Sequence, residues 1–209
     1  MKQRLNLTDC TDKILLRSFY ARPTLTVAKE LIGCVLVNAT KELFLSGRIV
    51  EVEAYLGTDD PASHAAQGRT PRTEHQWEEA GHLYVYLIYG MYHCVNIVTE
   101  RKGLAGCVLL RALEPLSGME KMRIRRNFPK TDIALCNGPG KLTQSLGISR
   151  THNRMDVTRG PICVIKPNIS SDFQISTSGR IGLTVGEKLP YRYFIKDNPF
   201  VSCYKTVSK

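Results

Sequence analysis

Apolar and polar residues follow both helix-like and strand-like spacings along the chain. In residues 24–32, TLTVAKELI, apolar side chains recur at helical spacing between Thr24, a candidate cap, and Gly33, a stop signal. Residues 34–37 (CVLV) and 43–55 (LFLSGRIVEVEAY) are rich in β-branched residues with partial alternation. This part of the chain therefore predicts one helix followed by two strands.

Residues 83–98, LYVYLIYGMYHCVNIV, predict a β-hairpin in which two apolar-aromatic runs meet at a turn centred on Gly90. The turn sets the cross-strand pairs Tyr84 with Asn96 and Tyr86 with Cys94. Each buried tyrosine hydroxyl needs a partner. The segment is therefore either a core hairpin with tyrosines at its rim or a platform for stacking a base, with Tyr89 at the tip as a wedge.

The second half of the chain predicts two more helices and several strands. One helix runs from about Ser117 to the residue before Pro129, and another starts at Pro139, where proline suits the first turn. Short strands follow at residues 161–165 (PICVI), 180–185 (RIGLTV) and 191–196 (YRYFIK). Strands outnumber helices and no βαβ repeat is present, so the predicted fold class is α+β, a single domain with a largely antiparallel sheet.

Composition and charge narrow the classes of protein. The 209 residues are 43% hydrophobic and 23% charged, as in an ordinary globular domain. The net charge of +10 favours a polyanionic partner such as nucleic acid, although a generically basic surface also explains it. The charge is uneven: residues 101–160 hold 12 basic and 4 acidic residues, whereas residues 51–80 hold 2 basic and 7 acidic residues.

The cysteines and histidines show no ligand or disulfide pattern. Seven dispersed cysteines form no C-x-x-C pair, and the five histidines form no close ligand pair. A disulfide scaffold and a structural zinc site are both disfavoured. With no long apolar stretch in the sequence, we expect a soluble intracellular protein with reduced cysteines.

The strand at residues 43–55 contains the main candidate chemistry. A two-residue period places Glu51, Glu53 and Tyr55 on one face and the apolar residues 50, 52 and 54 on the other. This polar face is either a solvated outer surface or the floor of a cleft in which a carboxylate takes a proton from water. A hard cation is less well supported, because no further aspartate cluster completes an oxygen cage.

Several basic segments are candidate phosphate contacts, and each alone is equally typical of a solvated surface. They are residues 68–72 (GRTPR) and the group Arg123, Arg125, Arg126 and Lys130. Residues 138–141 (GPGK) resemble a phosphate cradle only loosely, because they lack the spacing of a nucleotide-binding loop.

Taken together, the chain resembles the alkyladenine (3-methyladenine) DNA glycosylase family from about Arg22 onward. The matching blocks are GRIVEVEAYLG (47–57), His64 followed by GRTPR (68–72), LYVYLIYGMYHCVNIV (83–98), CVLLRALEP (107–115), NGPGKL (137–142) and NPFVS (198–202). The resemblance implies a curved antiparallel sheet or open barrel with a protruding β-hairpin and a few flanking helices. It also implies one glycosylase domain over residues 1–209, with residues 1–20 a loosely ordered segment.

The resemblance assigns a role to each matching site residue. Glu53 matches the general base, Arg111 a residue that helps hold the attacking water, and the Val201 carbonyl a third water contact. The base-pocket residues are the stacking residues Tyr55, His64 and Tyr86, together with Asn96, which disfavours guanine. Tyr89 matches the side chain inserted into DNA, and the phosphate contacts are Arg69, Arg72, Arg126 and Lys141.

The function implied by the resemblance is base excision without metal or cofactor. The chain is expected to flip alkylated purines such as 3-methyladenine and 7-methylguanine, with hypoxanthine and ethenoadenine as further candidates, from double-stranded DNA. It would then hydrolyse the N-glycosidic bond without lyase activity. We expect a cytoplasmic monomer, nucleoid-associated if the source is a bacterium. A non-catalytic damage-binding or RNA-binding module on the same scaffold is the alternative.

Overall fold

The computed structural model describes residues 12–40, 43–167 and 172–202. The helices are α1 (Arg17–Tyr20), α2 (Thr24–Leu31), α3 (Met119–Arg125), α4 (Ile133–Cys136) and α5 (Pro139–Leu146). The strands are β1 (Val35–Ala39), β2 (Phe44–Tyr55), β3 (Leu83–Ile88), β4 (Tyr92–Val98), β5 (Cys107–Ser117), β6 (Ile162–Ile165), β7 (Ile175–Ser178) and β8 (Arg192–Ile195).

The described strands form one eight-stranded antiparallel sheet that curls into a half-barrel. Its main path is β3-β4-β5-β2-β1-β6, and β8 pairs with both β2 and β7. Helices α2 and α5 pack on this sheet and contribute the buried side chains Val27, Leu31, Leu142 and Leu146 to the core. The predicted α+β class with a curved antiparallel sheet is confirmed.

The hairpin β3–β4 has the predicted register, with Tyr84 opposite Asn96 and Tyr86 opposite Cys94. Its turn places Tyr89 and Gly90 in the left-handed region, at φ 52° and 69°. Glycine adopts this conformation without strain, and tyrosine adopts it rarely. The Tyr89 side chain is 79% exposed at the tip.

Strand β2 separates its apolar and acidic residues as its two-residue period predicts. Val50, Val52 and Ala54 lie in the main core, while Glu51 and Glu53 both contact Arg111 of β5. Neither carboxylate has any exposed surface, so the solvated-face alternative is wrong. In the sheet, β5 and β8 flank this part of β2, and segments from the last 30 residues cover the acidic side chains.

Helix α2 spans Thr24–Leu31, and Gly33 follows it at φ 87°, as predicted. The predicted cap is wrong. The Thr24 hydroxyl bonds to the Thr99 hydroxyl at 2.8 Å and the Glu100 carboxylate at 2.7 Å, while Glu100 accepts the Thr24 backbone N–H at 2.6 Å. The N–H at the start of the helix has no partner within the helix, and a residue 76 positions away accepts its hydrogen bond. No local pattern could indicate this contact.

The strand predicted at residues 180–185 is also wrong, whereas those at 161–165 and 191–196 correspond to β6 and β8. Residues 180–185 form an irregular loop, because Arg180 and the Ile181 N–H bond to acidic groups beneath it. Strand β8 pairs with β2 and β7.

Part of the N-terminal segment that was expected to be loosely ordered is packed into the protein. Leu15 and Tyr20 are buried in the main core, whereas residues 1–11 lie outside the described part of the chain. The described cysteines are buried, namely Cys34, Cys94, Cys107, Cys136 and Cys163. Among the described residues no helix has the length and apolar character needed to cross a bilayer.

Candidate active site

Glu51 is surrounded by hydrogen-bond donors. Its Oε1 accepts from Arg111 Nε at 2.9 Å, Arg192 Nε at 2.7 Å and the Ser202 hydroxyl at 2.8 Å. Its Oε2 accepts from the Ser202 backbone N–H at 2.7 Å. Burial alone would raise the pKa of Glu51, but the two guanidinium groups and Ser202 outweigh it and hold the pKa below its usual value.

Glu53 has fewer charged partners. Its Oε1 lies 3.2 Å from Arg111 Nη1 and accepts the Ile181 N–H at 2.7 Å. Its Oε2 accepts from the Tyr55 hydroxyl at 2.9 Å, the one hydrogen bond to that oxygen from the residues described. Burial raises the pKa of Glu53 above its usual value, although Arg111, Ile181 and Tyr55 each lower it. The carboxylate is thus a stronger proton acceptor than an exposed glutamate.

The loop at residues 179–183 is fixed by an ion pair that no sequence pattern predicted. Arg180 and Asp60 are joined in a fully buried pair, with Arg180 Nη2 2.7 Å from Asp60 Oδ1. Arg180 also donates to the Ala54 carbonyl at 2.9 Å and lies 4.6 Å from the centre of the Tyr55 ring. The pair therefore positions both the Ile181 N–H and the Tyr55 ring around Glu53.

A cavity of about 240 Å³ opens beside this cluster. It brings together all four residues predicted to surround a base, namely Tyr55, His64, Tyr86 and Asn96. Arg72, Gln76, Tyr84 and Cys107 also line it. Its volume lies below the range of about 300–1,000 Å³ that is typical of sites for drug-sized ligands. The cavity therefore suits a ligand about the size of a nucleobase.

The aromatic wall of the cavity is held by a hydrogen-bonded group. His64 Nδ1 lies 2.8 Å from the Tyr84 hydroxyl, and Arg72 Nε donates to the same hydroxyl at 3.2 Å. The His64 and Tyr86 rings meet edge to face with their centres 4.6 Å apart. Burial and the neighbouring Arg72 lower the pKa of His64 to about 4, so the imidazole is neutral at pH 7.

The Asn96 amide has a fixed orientation in the cavity wall. Its Nδ2 donates to the Tyr84 carbonyl at 3.1 Å, and its Oδ1 accepts from the Cys107 thiol at 3.7 Å. The side chain is almost fully buried. An amide fixed by partners on both atoms presents a defined shape to a bound base, as exclusion of a guanine amino group requires.

The segment at residues 198–202 closes the far side of the acidic cluster. Val201 donates its N–H to the Asn198 carbonyl at 3.2 Å, and the next residue, Ser202, makes both bonds to Glu51. Val201 is therefore the neighbour in sequence of a residue that bonds to Glu51. The role of its carbonyl remains a prediction.

The hairpin tip and helix α5 share one face of the molecule. Thr143 of α5 donates to the His93 carbonyl at 2.9 Å, and a Cβ added to Gly140 would stand 3.0 Å from the Tyr92 Cβ. Lys141 donates to Asn137 at 2.8 Å. Because Arg126 bonds to Gln144 of the same helix, both predicted basic residues lie on or beside the helix that packs against the start of β4.

The remaining candidate phosphate contacts differ in how far they are free to bind. Arg69 is exposed and lies 5.4 Å from the centre of the Trp77 ring, whereas Arg72 is part of the cavity wall. Arg123 forms a two-bond ion pair with Asp132, and Arg125 donates to the Ser145 carbonyl at 3.2 Å. Arg123 and Arg125 thus already bond to groups within the protein.

Comparison with known proteins identifies the family. A sequence profile of the methylpurine-DNA glycosylase family matches residues 18–199. The chain belongs to this family. A relative in Clostridium perfringens is 45% identical over 199 residues, covering 89% of this chain and 97% of the relative. One in Methanoculleus marisnigri is 45% identical over 188 residues, covering 88% and 96%. Both bear the provisional name 3-methyladenine DNA glycosylase.

Membership of the methylpurine-DNA glycosylase family makes this chain a DNA glycosylase, as the sequence resemblance predicted. Several residues of the site escaped sequence reasoning, namely Asp60, Gln76, Arg180, Arg192 and Ser202. Arg180 and Arg192 lie in segments with a strand-like pattern, and Ser202 ends the NPFVS block, whereas Asp60 and Gln76 lie outside any recognised motif. The Asp60–Arg180 pair and the bonds of Arg192 and Ser202 to Glu51 join residues far apart in sequence, so the folded chain alone shows them. Within the described residues no group of histidine, cysteine, aspartate and glutamate is arranged to bind a metal ion.

Proposed function

We propose that this glycosylase extrudes an alkylated purine from double-stranded DNA and hydrolyses its N-glycosidic bond with a water activated by Glu53. The carrying observation is the position of Glu53. It is a fully buried carboxylate with a raised pKa, joined through the Tyr55 hydroxyl to the aromatic cavity. A carboxylate behind a base-sized aromatic cavity suits attack on the sugar of a base held in that cavity.

The proposed hydrolysis requires one proton acceptor from the protein. Glu53 takes a proton from water, and the water oxygen bonds to the anomeric carbon as the carbon–nitrogen bond breaks. The bonding electron pair leaves with the base. An N3- or N7-alkylated purine carries a positive charge and departs as a neutral molecule, so it needs no general acid. The Glu53 carboxylate also stabilises the positive sugar.

Recognition depends on stacking against aromatic rings. Tyr55, Tyr86 and neutral His64 present π-faces to a cationic or electron-poor purine, at about 1–3 kcal/mol for each stacked base. Among the proposed substrates, 3-methyladenine and 7-methylguanine fit this scheme best because both are cationic in DNA. Hypoxanthine and ethenoadenine are uncharged, so their release is expected to be slower.

The hairpin tip supports extrusion of the base. Tyr89 is exposed and lies at the turn between the two strands that contribute Tyr84, Tyr86 and Asn96 to the cavity wall. We propose that Tyr89 fills the gap that the flipped nucleotide leaves, while Arg69, Arg72, Arg126 and Lys141 contact phosphates. Extrusion costs a few kcal/mol, which contact between the wedge and the bases partly offsets.

The test is incubation of the purified protein with alkylated duplex DNA in a metal chelator. We expect free alkylated purine and an abasic site, and no covalent enzyme–DNA product after borohydride treatment, because no amine takes part. Glu53→Gln should still bind an abasic-site analogue while releasing base about 100- to 10,000-fold more slowly. Tight binding by the wild type without base release would instead support a damage-binding module.

A further inference from the structure

One polar side chain of the base cavity has no hydrogen-bond partner in the part of the chain that the structure describes. Gln76 lies in the 3-10 turn Glu74–Trp77, is fully buried and lines the cavity. Neither its Oε1 nor its Nε2 has a hydrogen-bond partner among the described residues. Buried amides are nearly always hydrogen-bonded, so this exception needs an explanation.

The turn holds Gln76 in place in the cavity wall. Its backbone N–H donates to the Thr73 carbonyl at 2.8 Å, and the preceding His75 ring lies 5.1 Å from the ring of Tyr84. Asn96, the other amide of the cavity lining, has protein partners on both of its polar atoms. Gln76 is therefore the lining amide whose donor and acceptor both remain for a ligand.

The chemistry of an amide selects among purines. A glutamine pairs with adenine through two bonds, because N6–H₂ is a donor and N7 an acceptor on the same edge. Hypoxanthine presents two acceptors on that edge, O6 and N7. In 1,N6-ethenoadenine N6 has no hydrogen, and in 7-methylguanine the N7 lone pair is blocked. On the edge formed by the C6 substituent and N7, 3-methyladenine is the one base of these four that satisfies both groups of the amide.

We propose that Gln76 selects 3-methyladenine by pairing its amide with the N6 and N7 edge of the flipped base. This inference rests on the proposed function and specifies its substrate class. Asn96 excludes a base that carries the amino group of guanine, and Gln76 favours binding of a base that carries the amino group of adenine. The two amides thus report on different edges of the base, so their effects on specificity should be separable.

The direct test compares free-base inhibitors that differ in one exocyclic group. Base release by the wild type is measured on methylated DNA in the presence of 3-methyladenine or 3-methylpurine, in which a hydrogen replaces the amino group. We expect 3-methyladenine to inhibit about 5- to 100-fold more strongly, the range that one two-bond base contact supplies. In Gln76→Met, which keeps the length and removes the polar atoms, this ratio should fall to near one.

Release rates give a second readout. Gln76→Met should slow release of 3-methyladenine by a similar factor and leave 7-methylguanine and hypoxanthine release within about threefold. Gln174→Met, the same change at an exposed position, should alter neither. The melting temperature of Gln76→Met should not fall, because replacing an unpartnered buried amide by an apolar group removes a desolvation cost.

The outcomes separate this inference from the function on which it rests. If the wild type releases no alkylated purine, the proposed function fails. If the wild type releases alkylated purine but both free bases inhibit it equally, the Gln76 assignment alone fails. An unchanged inhibitor ratio in Gln76→Met, or a loss shared equally by all substrates, also contradicts it. The wild-type comparison holds even if the variant does not fold.

Discussion

Glu51 and Glu53 lie two residues apart on one strand, both without exposed surface and both in contact with Arg111, yet their environments differ. Glu51 bonds to two guanidinium groups and twice to Ser202, and its pKa lies below the usual value. Glu53 shares one arginine and otherwise has neutral donors, so burial keeps its pKa above the usual value. Location on one face of a strand therefore does not decide what a carboxylate can do.

The difference separates a structural carboxylate from a chemical one. Glu51 neutralises Arg111 and Arg192 and links β2, β5, β8 and the segment ending at Ser202. Glu53 is held by groups that fix its geometry without fully compensating its charge. A base needs that residual proton affinity, whereas a structural ion pair is most stable without it.

The largest expected effect is the loss of stability in Glu51→Gln. Two buried arginines would lose their counter-charge, and breaking a buried ion pair typically costs about 3–5 kcal/mol. Urea unfolding at pH 7 measures it. Because the pKa of Glu51 is lowered by folding, the difference from wild type should shrink as the pH falls below about 4, where the unfolded chain protonates.

Glu114→Gln is the matched control for that measurement. Glu114 pairs with Arg48, but both side chains are about a quarter exposed. Such a pair contributes roughly 0–1 kcal/mol. Equal losses in the two variants would mean that Glu51 is not a special structural element.

Arg111→Gln should alter the chemistry through Glu53. Arg111 lowers the pKa of Glu53, so its removal should raise that pKa further and move the acidic limb of the rate profile to higher pH. Glu53 acts in its ionised form, so activity falls as the pH drops through its pKa. Single-turnover rates of base release across a pH series locate the acidic limb. If the limb stays at the wild-type pH, Arg111 does not set the pKa of Glu53.

Arg180→Gln should have a smaller effect on the same site. It would release the loop that presents the Ile181 N–H to Glu53 and would leave Asp60 as an unpaired buried charge. A lost hydrogen bond to a charged group corresponds to about 1.5–3 kcal/mol, or roughly 10- to 150-fold in rate. Arg180→Lys should recover part of the rate. A loss of stability with an unchanged rate and pH profile would restrict Arg180 to a structural role.

Tyr89→Ser is expected to leave the environments of Glu51 and Glu53 unchanged. At the exposed hairpin tip it should slow base release by about tenfold on duplex DNA and less on a single strand, because only the duplex must be opened. The acidic limb and the melting temperature should match those of the wild type. Equal losses on both substrates would argue against a wedge.

Local patterns predicted those parts of the molecule that local chemistry determines. The register of β3–β4 follows from alternation and Gly90, and the start of α5 follows from Pro139 at its first position. The resemblance supplied the cavity residues. The environment of Glu51 could not be predicted, because Arg192 and Ser202 are more than 140 residues away along the chain.

Two errors have the same physical origin. Residues 180–185 have a strand-like pattern, but long-range bonds to Asp60 and Glu53 override the local preference. The solvated-face alternative for Glu51 and Glu53 considered one strand alone, whereas loops from elsewhere cover it. For Gln76 no sequence pattern exists, since its significance lies in the partners that its buried amide lacks within the described structure.

The most direct test measures rate and melting temperature together for Glu53→Gln and Glu51→Gln at pH 7. Because folding raises the pKa of Glu53, its ionised form destabilises the protein at neutral pH, and the neutral variant should melt at or above the wild-type temperature. It should also release methylated purine about 100- to 10,000-fold more slowly. Glu51→Gln should melt lower but keep most of its rate while folded. A folded Glu53→Gln that excises at the wild-type rate would contradict the account.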